Sequence, residues 1–304
     1  MKLNKTLFLL LTASLALSAN AQEYVDLFRA HGNLAPNANY PGDDNQGNII
    51  EAGIDLTLPI PIDDKFAIIT GLAAERQSFY PDSSLNYKTE IFSANAKLGF
   101  SYRFRPRWSA TFIGLPKMAG DIHGSSANDF QLGAMLLLKN IQSKKLNFSY
   151  GVYANQERFG MFLVPLLGMY YLSPRKDFEI NATLPVWADI KKRVGFNVWC
   201  GASFSAMVRS YYLNDPELSN QSLYLERKSN DILFYVQFDI NQTLILQTKM
   251  GYSIGRSAEV YNSNDKVDLG LSLFRFGDDR TQLNTDMLDG PMVQLKLIYR
   301  YNFK

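Results

Sequence analysis

From residue 48 onward, apolar and polar residues alternate with a period of two along most of the chain. In one segment Phe92, Ala94, Ala96, Leu98, Phe100, Tyr102 and Phe104 alternate with Ser93, Asn95, Lys97, Gly99, Ser101 and Arg103. The same rhythm recurs over 50–58, 146–152, 194–204, 244–254 and 267–273. Successive side chains of a strand point to opposite faces, so this pattern predicts strands with one apolar and one polar face. Candidate strands fall near 23–30, 48–60, 65–77, 90–104, 107–117, 129–139, 145–155, 160–172, 176–187, 193–209, 223–240, 243–256, 265–276 and 291–303. A tilted membrane-spanning strand needs about 9–11 residues and bacterial barrels have even strand numbers, so about 12–14 strands fit. That order does not bring the long connections 210–222 and 277–290 to the same end of a barrel.

The polar face decides the class. It is rich in Gly, Ser and Asn with scattered charges of both signs, whereas a sandwich facing bulk water would carry many Lys, Glu and Thr there. Small residues suit a crowded lumen of limited diameter. Aromatic residues flank turn sequences: Phe104 and Trp108 around Arg105-Pro106-Arg107, and Tyr170 and Tyr171 before Ser173-Pro174-Arg175. Such placement matches interfacial girdles. The predicted fold is all-β, a transmembrane antiparallel up-and-down β-barrel.

The two ends sharpen this. Lys2 and Lys5 precede an apolar run over 7–17 and the small-residue site Ser18-Ala19-Asn20-Ala21, the order of a secretory signal peptide cleaved after Ala21. The run is shorter than the roughly 20 residues a helical span needs. At the other end Val293, Leu295, Leu297, Tyr299, Tyr301 and Phe303 share one face. The closing aromatics Tyr299, Tyr301 and Phe303 read as the strand presented to the barrel-assembly machinery. The expected organisation is a signal peptide over 1–21 and one outer-membrane barrel domain over 22–304, set in outer-membrane lipid of a Gram-negative bacterium.

Charge and composition exclude other classes. Residues 1–21 contain two lysines and no acid, so the mature chain holds 29 basic and 29 acidic residues. That balance leaves no basic excess for nucleic acid. The lone Cys200 cannot form an internal disulfide and falls on an apolar strand face, where it reads as a small hydrophobe.

Five segments carry a resemblance: Asp129-Phe130-Gln131-Leu132-Gly133, Val164-Pro165-Leu166-Leu167-Gly168, Arg209-Ser210-Tyr211, Gly251-Tyr252-Ser253-Ile254-Gly255-Arg256, and Gly277-Asp278-Asp279-Arg280-Thr281-Gln282-Leu283-Asn284. Together they resemble a family of bacterial outer-membrane β-barrel proteins with no assigned function. The resemblance implies fold and location and supplies neither substrate nor catalytic residues.

Candidate chemistry is sparse. A Ser–His–acid mechanism needs a histidine beside the nucleophile, and the chain has only His31 and His123. His123-Gly124-Ser125-Ser126 is the one catalytic candidate, and a polar loop explains it as well. No cofactor or metal is expected, since Asp278-Asp279 alone falls far short of the 6–8 oxygens Ca²⁺ takes. These carboxylates more simply pair with Arg280 or with Arg275. The charged residues on polar faces should face the lumen, because charges on the lipid side are costly. Lumen or selectivity candidates are Glu51, Asp55, Glu75, Lys97, Arg103, Lys249, Asp268, Lys296 and Arg300, with Lys117, Lys139, Glu179 and Asp239 on the same faces. Asp278, Asp279 and Arg280 are loop candidates. A passive pore or transporter for small solutes is the leading expectation. A closed structural or adhesive barrel binding a partner through its loops, and a lipid-modifying membrane enzyme, are the alternatives.

Overall fold

The computed structural model describes residues 24–36, 38, 47–80, 89–124, 126–214 and 222–302; the segment 1–21 and Phe303 lie outside them. Alternation becomes strands β1 (Tyr24–Ala35), β2 (Ile49–Pro61), β3 (Phe66–Phe79), β4 (Thr89–Arg105), β5 (Trp108–Asp121), β6 (Phe130–Ser143), β7 (Leu146–Glu157) and β8 (Gly160–Leu172). They continue as β9 (Phe178–Leu184), β10 (Trp187–Arg193), β11 (Val198–Leu213), β12 (Leu223–Asp239) and β13 (Leu244–Asn262). A small hairpin, β14 (Leu269–Leu271) and β15 (Phe274–Phe276), precedes β16 (Gly290–Asn302). Each strand from β1 to β13 pairs antiparallel with the next, β13 pairs with β16, and β16 closes on β1. Among the described residues this makes a closed barrel of 14 strands.

The outer face is apolar. Phe234 is 65% exposed, Leu167 64% and Met250 64%. Removing one such side chain from water is worth about 1.5–3 kcal/mol, so a continuous belt of them belongs against lipid. On β12 the outward residues Ile232, Phe234, Val236 and Phe238 give way above residue 230 to Lys228, Glu226 and Tyr224. That change marks the upper edge of the belt, and β12 and β13 project beyond it.

Two corrections to the expected strands resolve the sidedness conflict. The segment 176–187 is not one strand: Pro185 cannot donate to a ladder, and the chain turns at Pro185-Val186 into the short hairpin β9–β10. The segment 265–276 is not a wall strand but the hairpin β14–β15, turning at Ser272 (φ 52°). One strand is gained and one lost, so the count is kept while the direction of every strand between them reverses. The connections 62–65, 106–107, 144–145, 173–177, 194–197 and 240–243 now lie at one end, the turn end, with both barrel termini. The longer connections, 214–222 and 263–289 included, lie at the other, the loop end.

The short hairpin also reshapes the wall. β9 pairs with β8 only from Leu167 to Leu172, and β14 takes the edge above, Gly270 against Phe162 and Leu271 against Leu163. One stave of the wall is thus built from two hairpins meeting end to end. Freed of β10, the upper part of β11 leans across the lumen and meets β5 in parallel, Tyr212 facing Gly120. Gly-rich inner faces have a cause beyond lumen crowding. A Cβ on Gly99 would collide with the Phe112 carbonyl, and one on Gly251 with the Ile232 carbonyl.

Candidate functional site

The lumen has two storeys. In the turn-end half a cavity of about 520 Å³ is lined by residues of β1, β2, β6–β13 and β16. Below it, a chain of polar contacts crosses the barrel. Arg300 on β16 donates to Asp26 on β1 at 2.7 Å and lies 3.5 Å from the centre of the Tyr24 ring. The Tyr24 hydroxyl reaches over to Glu179 on β9, which also holds Lys191 at 3.2 Å. Lys191 packs over the Tyr24 and Trp199 rings, and Trp199 Nε1 donates to Asp239 at 3.0 Å. A contact from β1 to β9 spans the ring, so the barrel is pinched at this level.

The cavity walls carry Lys249 and Lys296 on neighbouring strands, Arg29 beside them and Lys139 from β6. Lys249 Nζ donates to Ser203 Oγ at 3.2 Å and sits 4.7 Å over the Tyr235 ring, whose hydroxyl donates to Asp189 at 2.7 Å. Lys139, Lys249 and Lys296 form no ion pair within 4.0 Å among the described residues.

The loop-end half is filled. Phe79, Ile91, Ala119, Tyr211 and Leu225 are each at most 1% exposed and pack with Ile49, Leu213 and Met287 into an apolar plug. Beneath it lies a polar layer. Glu51 accepts from Asn33 at 2.6 Å, Gln77 at 2.7 Å and His31 at 3.1 Å, and Glu75 accepts from Arg209 on β11 at 2.7 Å. A second network anchors β11. Glu157 accepts from the Ser210 amide at 2.8 Å, its hydroxyl at 2.6 Å and Lys117 at 3.1 Å, while Gln131 donates to the Ser210 carbonyl at 2.9 Å.

A third network pins the loop that carries β14–β15. Glu226, fully buried, takes Arg280 at 2.7 Å and Arg275 at 3.0 Å. Arg280 also holds Asp278 at 2.8 Å and lies 4.2 Å from the centre of the Tyr261 ring, which stacks on Tyr224. The Arg280 hydrogen bond holds the Asp278 carboxyl below its ordinary range. At the turn end, backbone amides of Lys65 and Phe66 do the same for Asp63, and the Ser173 hydroxyl for Asp177.

Of the residues singled out from sequence, Glu51, Glu75, Asp55 and Lys97 meet in lumen networks, Lys97 donating to Asp55 at 2.6 Å. Lys249 and Lys296 line the cavity, and Arg300 closes its floor. Arg103 sits near the turn end of β4, opposite Ser109. Asp268 is the exception: it belongs to the loop, exposed, with its amide on the Phe276 carbonyl, because 265–276 left the wall. Asp279 is exposed beside the Asp278–Arg280 pair. Tyr299 points outward on β16, and Tyr301 follows it. His123 Nδ1 is 3.8 Å from Asp121, while Ser126 caps a short 3-10 turn and Ser125 lies outside the described residues. Sequence reasoning missed Glu226 and Glu157 as network centres. Glu226 sits on the outward parity of β12, and only the change from apolar to charged residues along that face signals it.

Ligand atoms of His31, Glu51 and Glu75 lie within 4.8 Å of one another. Asn33 and Gln77 already satisfy Glu51, and the Arg209 guanidinium neutralises Glu75, so the cluster works as a hydrogen-bonded layer without a cation.

No family model matches the chain. No curated protein matches it either. Solved barrels are similar in outline. The Pseudomonas putida toluene transporter TodX aligns over 92% of this chain and 91% of its own, at 9% identity and TM-score 0.42. The NanC porin aligns over 90% and 98%, at 8% identity and TM-score 0.37. A Pseudomonas aeruginosa FadL homologue aligns over 91% and 89%, at 10% identity and TM-score 0.37. At these values the likeness carries no argument about solute or mechanism.

Proposed function

We propose that this chain is an outer-membrane barrel that admits small polar solutes to its lumen and passes them by a restricted path, not a wide general pore. The observation that supports this reading is the charged cavity in the turn-end half, separated from the apolar plug by the Glu51–Glu75 polar layer. Export through a signal peptide over 1–21, a single barrel domain over 22–304 and recognition of Tyr299, Tyr301 and Phe303 by the assembly machinery belong to the same reading. The turn end then faces the periplasm and the loop end the cell exterior. Lipid contacts the apolar belt. No residue is assigned a catalytic role.

The plug favours a second reading, a closed barrel whose loop end presents a surface to a partner. Planar-bilayer recordings of the refolded mature protein separate the two. The restricted-path reading expects small, infrequent conductance steps from the wild type, and larger, longer ones from Phe79→Ala/Leu225→Ala, which thins the plug. Large steady steps from the wild type would sink the restricted path. Silence from both proteins, correctly folded, would favour the closed barrel.

A further inference from the structure

The charges around the turn-end cavity do not balance. Its lining includes six basic side chains and three carboxylates. The carboxylates are engaged: Asp26 with Arg300, Glu179 with Lys191 and the Tyr24 hydroxyl, and Asp189 with the Tyr235 hydroxyl. Arg29 reaches Asp55 only at 3.6 Å, and its buried Nε has no hydrogen-bond partner among the described residues. Among the described residues, Lys139, Lys249 and Lys296 are left without a counter-charge within 4.0 Å.

Their placement is not diffuse. On β16, Lys296 stands opposite His31 of β1 and Gln247 of β13, and Lys249 stands opposite Gln294. Arg29, Lys296 and Lys249 therefore form a diagonal of cations across three adjacent strands, all facing inward. Lys139 enters the same cavity from β6, on the far wall. Like charges on neighbouring strands repel, and a confined lumen screens them less than bulk water does. A neutral solute leaves that repulsion in place; an anion between the walls converts it into attraction and satisfies ammonium donors on both sides. The volume, about 520 Å³, falls within the range of small-molecule sites.

We propose that the turn-end cavity is an anion-binding site, taking small carboxylates or phosphates between the Arg29–Lys296–Lys249 diagonal and Lys139. This rests on the reading that solutes enter the lumen and names their class. The side-chain amides of Gln247 and Gln294 each donate one N–H within the wall, to Gln237 and Asn33, and keep a second N–H as a neutral donor beside the diagonal. The lysines, as point charges on flexible stems, set the sign of the ligand and leave its shape open.

Isothermal titration of the refolded, detergent-solubilised barrel tests this, with inorganic phosphate and succinate as probes and a neutral sugar as control. Saturable binding of at least one anion is expected, weakening as ionic strength rises, with none for the sugar. Lys249→Gln/Lys296→Gln should weaken binding at least tenfold, Lys139→Gln should weaken it less, and the exposed Lys192→Gln should leave it unchanged. Heat-modifiable gel mobility reports the fold of each variant; should the double variant not fold, Lys139→Gln decides. Absence of anion binding by folded wild type, or equal binding by the folded lysine variants, overturns the proposal. Binding in detergent does not require passage. A protein that binds phosphate and conducts nothing defeats the transport reading alone. One that passes neutral solutes and binds no anion defeats only this one.

Discussion

The two halves of the lumen share one wall and one rule of alternation, yet one half holds a cavity and the other a packed core. The difference lies in where the wall goes. At the turn end each strand stays paired with both neighbours around the ring and most charged inward residues line the cavity. Toward the loop end β11 leaves its neighbour and crosses to β5, so Tyr211 and Leu213 fill the middle instead of lining the edge. β13 adapts with a bulge at Gly255 (φ 60°), where residues 255 and 256 face a single residue of β12. The bulge shifts the inward parity, so Ala258 and Val260 join the plug while Glu259 and Tyr261 turn outward. Bending of its own staves thus fills the upper lumen, with Ala38 and Met287 of the connections completing the packing.

The strongest way to break this contrast is to unpin the loop. Glu226→Ala leaves Arg275 and Arg280 without their buried counter-charge, and removing one partner of such a group costs about 3–5 kcal/mol. Urea unfolding in detergent should show that loss, and limited proteolysis should cut within 263–289. An unchanged midpoint would mean the network does not hold the loop. The belt gives a smaller effect. Phe234→Lys, outward and near the middle of the belt, should destabilise by about 2–4 kcal/mol in lipid vesicles. Ser205→Lys, inward at the cavity, should change stability far less. Equal effects would contradict the assignment of faces. The smallest effect concerns pH. Asp278 has its folded pKa depressed by Arg280, so its contribution is present above the unfolded value of about 4 and fades as pH falls through the lower folded value. Protease sensitivity of the 263–289 loop should rise below about pH 4 in the wild type, and Asp278→Asn should show that higher sensitivity already at neutral pH.

Much of this architecture was legible because alternation is a local signal. The runs 92–104 and 244–254 lie on strands with the faces their patterns predict. Sidedness was not legible, because it turned on two local exceptions. Pro185 ended a strand inside an apolar stretch, and 267–273 alternated although it forms a hairpin whose Gly270 packs on Phe162. Lumen residues such as Lys249 and Lys296 could be named from parity. Which charges would find partners could not, because Tyr24–Glu179 and Arg209–Glu75 join strands far apart in sequence. Such long-range contacts decide which lysines remain without an ion pair among the described residues.

The lower lumen is open to solute, whereas the packed plug above it admits solute only in rare openings. In a Cys200→Ser background, Ser203→Cys reports the cavity and Ala119→Cys the plug. A membrane-impermeant, negatively charged thiol reagent should modify the cysteine at 203 quickly and leave the one at 119 intact in the folded protein. Equal labelling of both, or an inert cysteine at 203, would contradict the two-storey lumen.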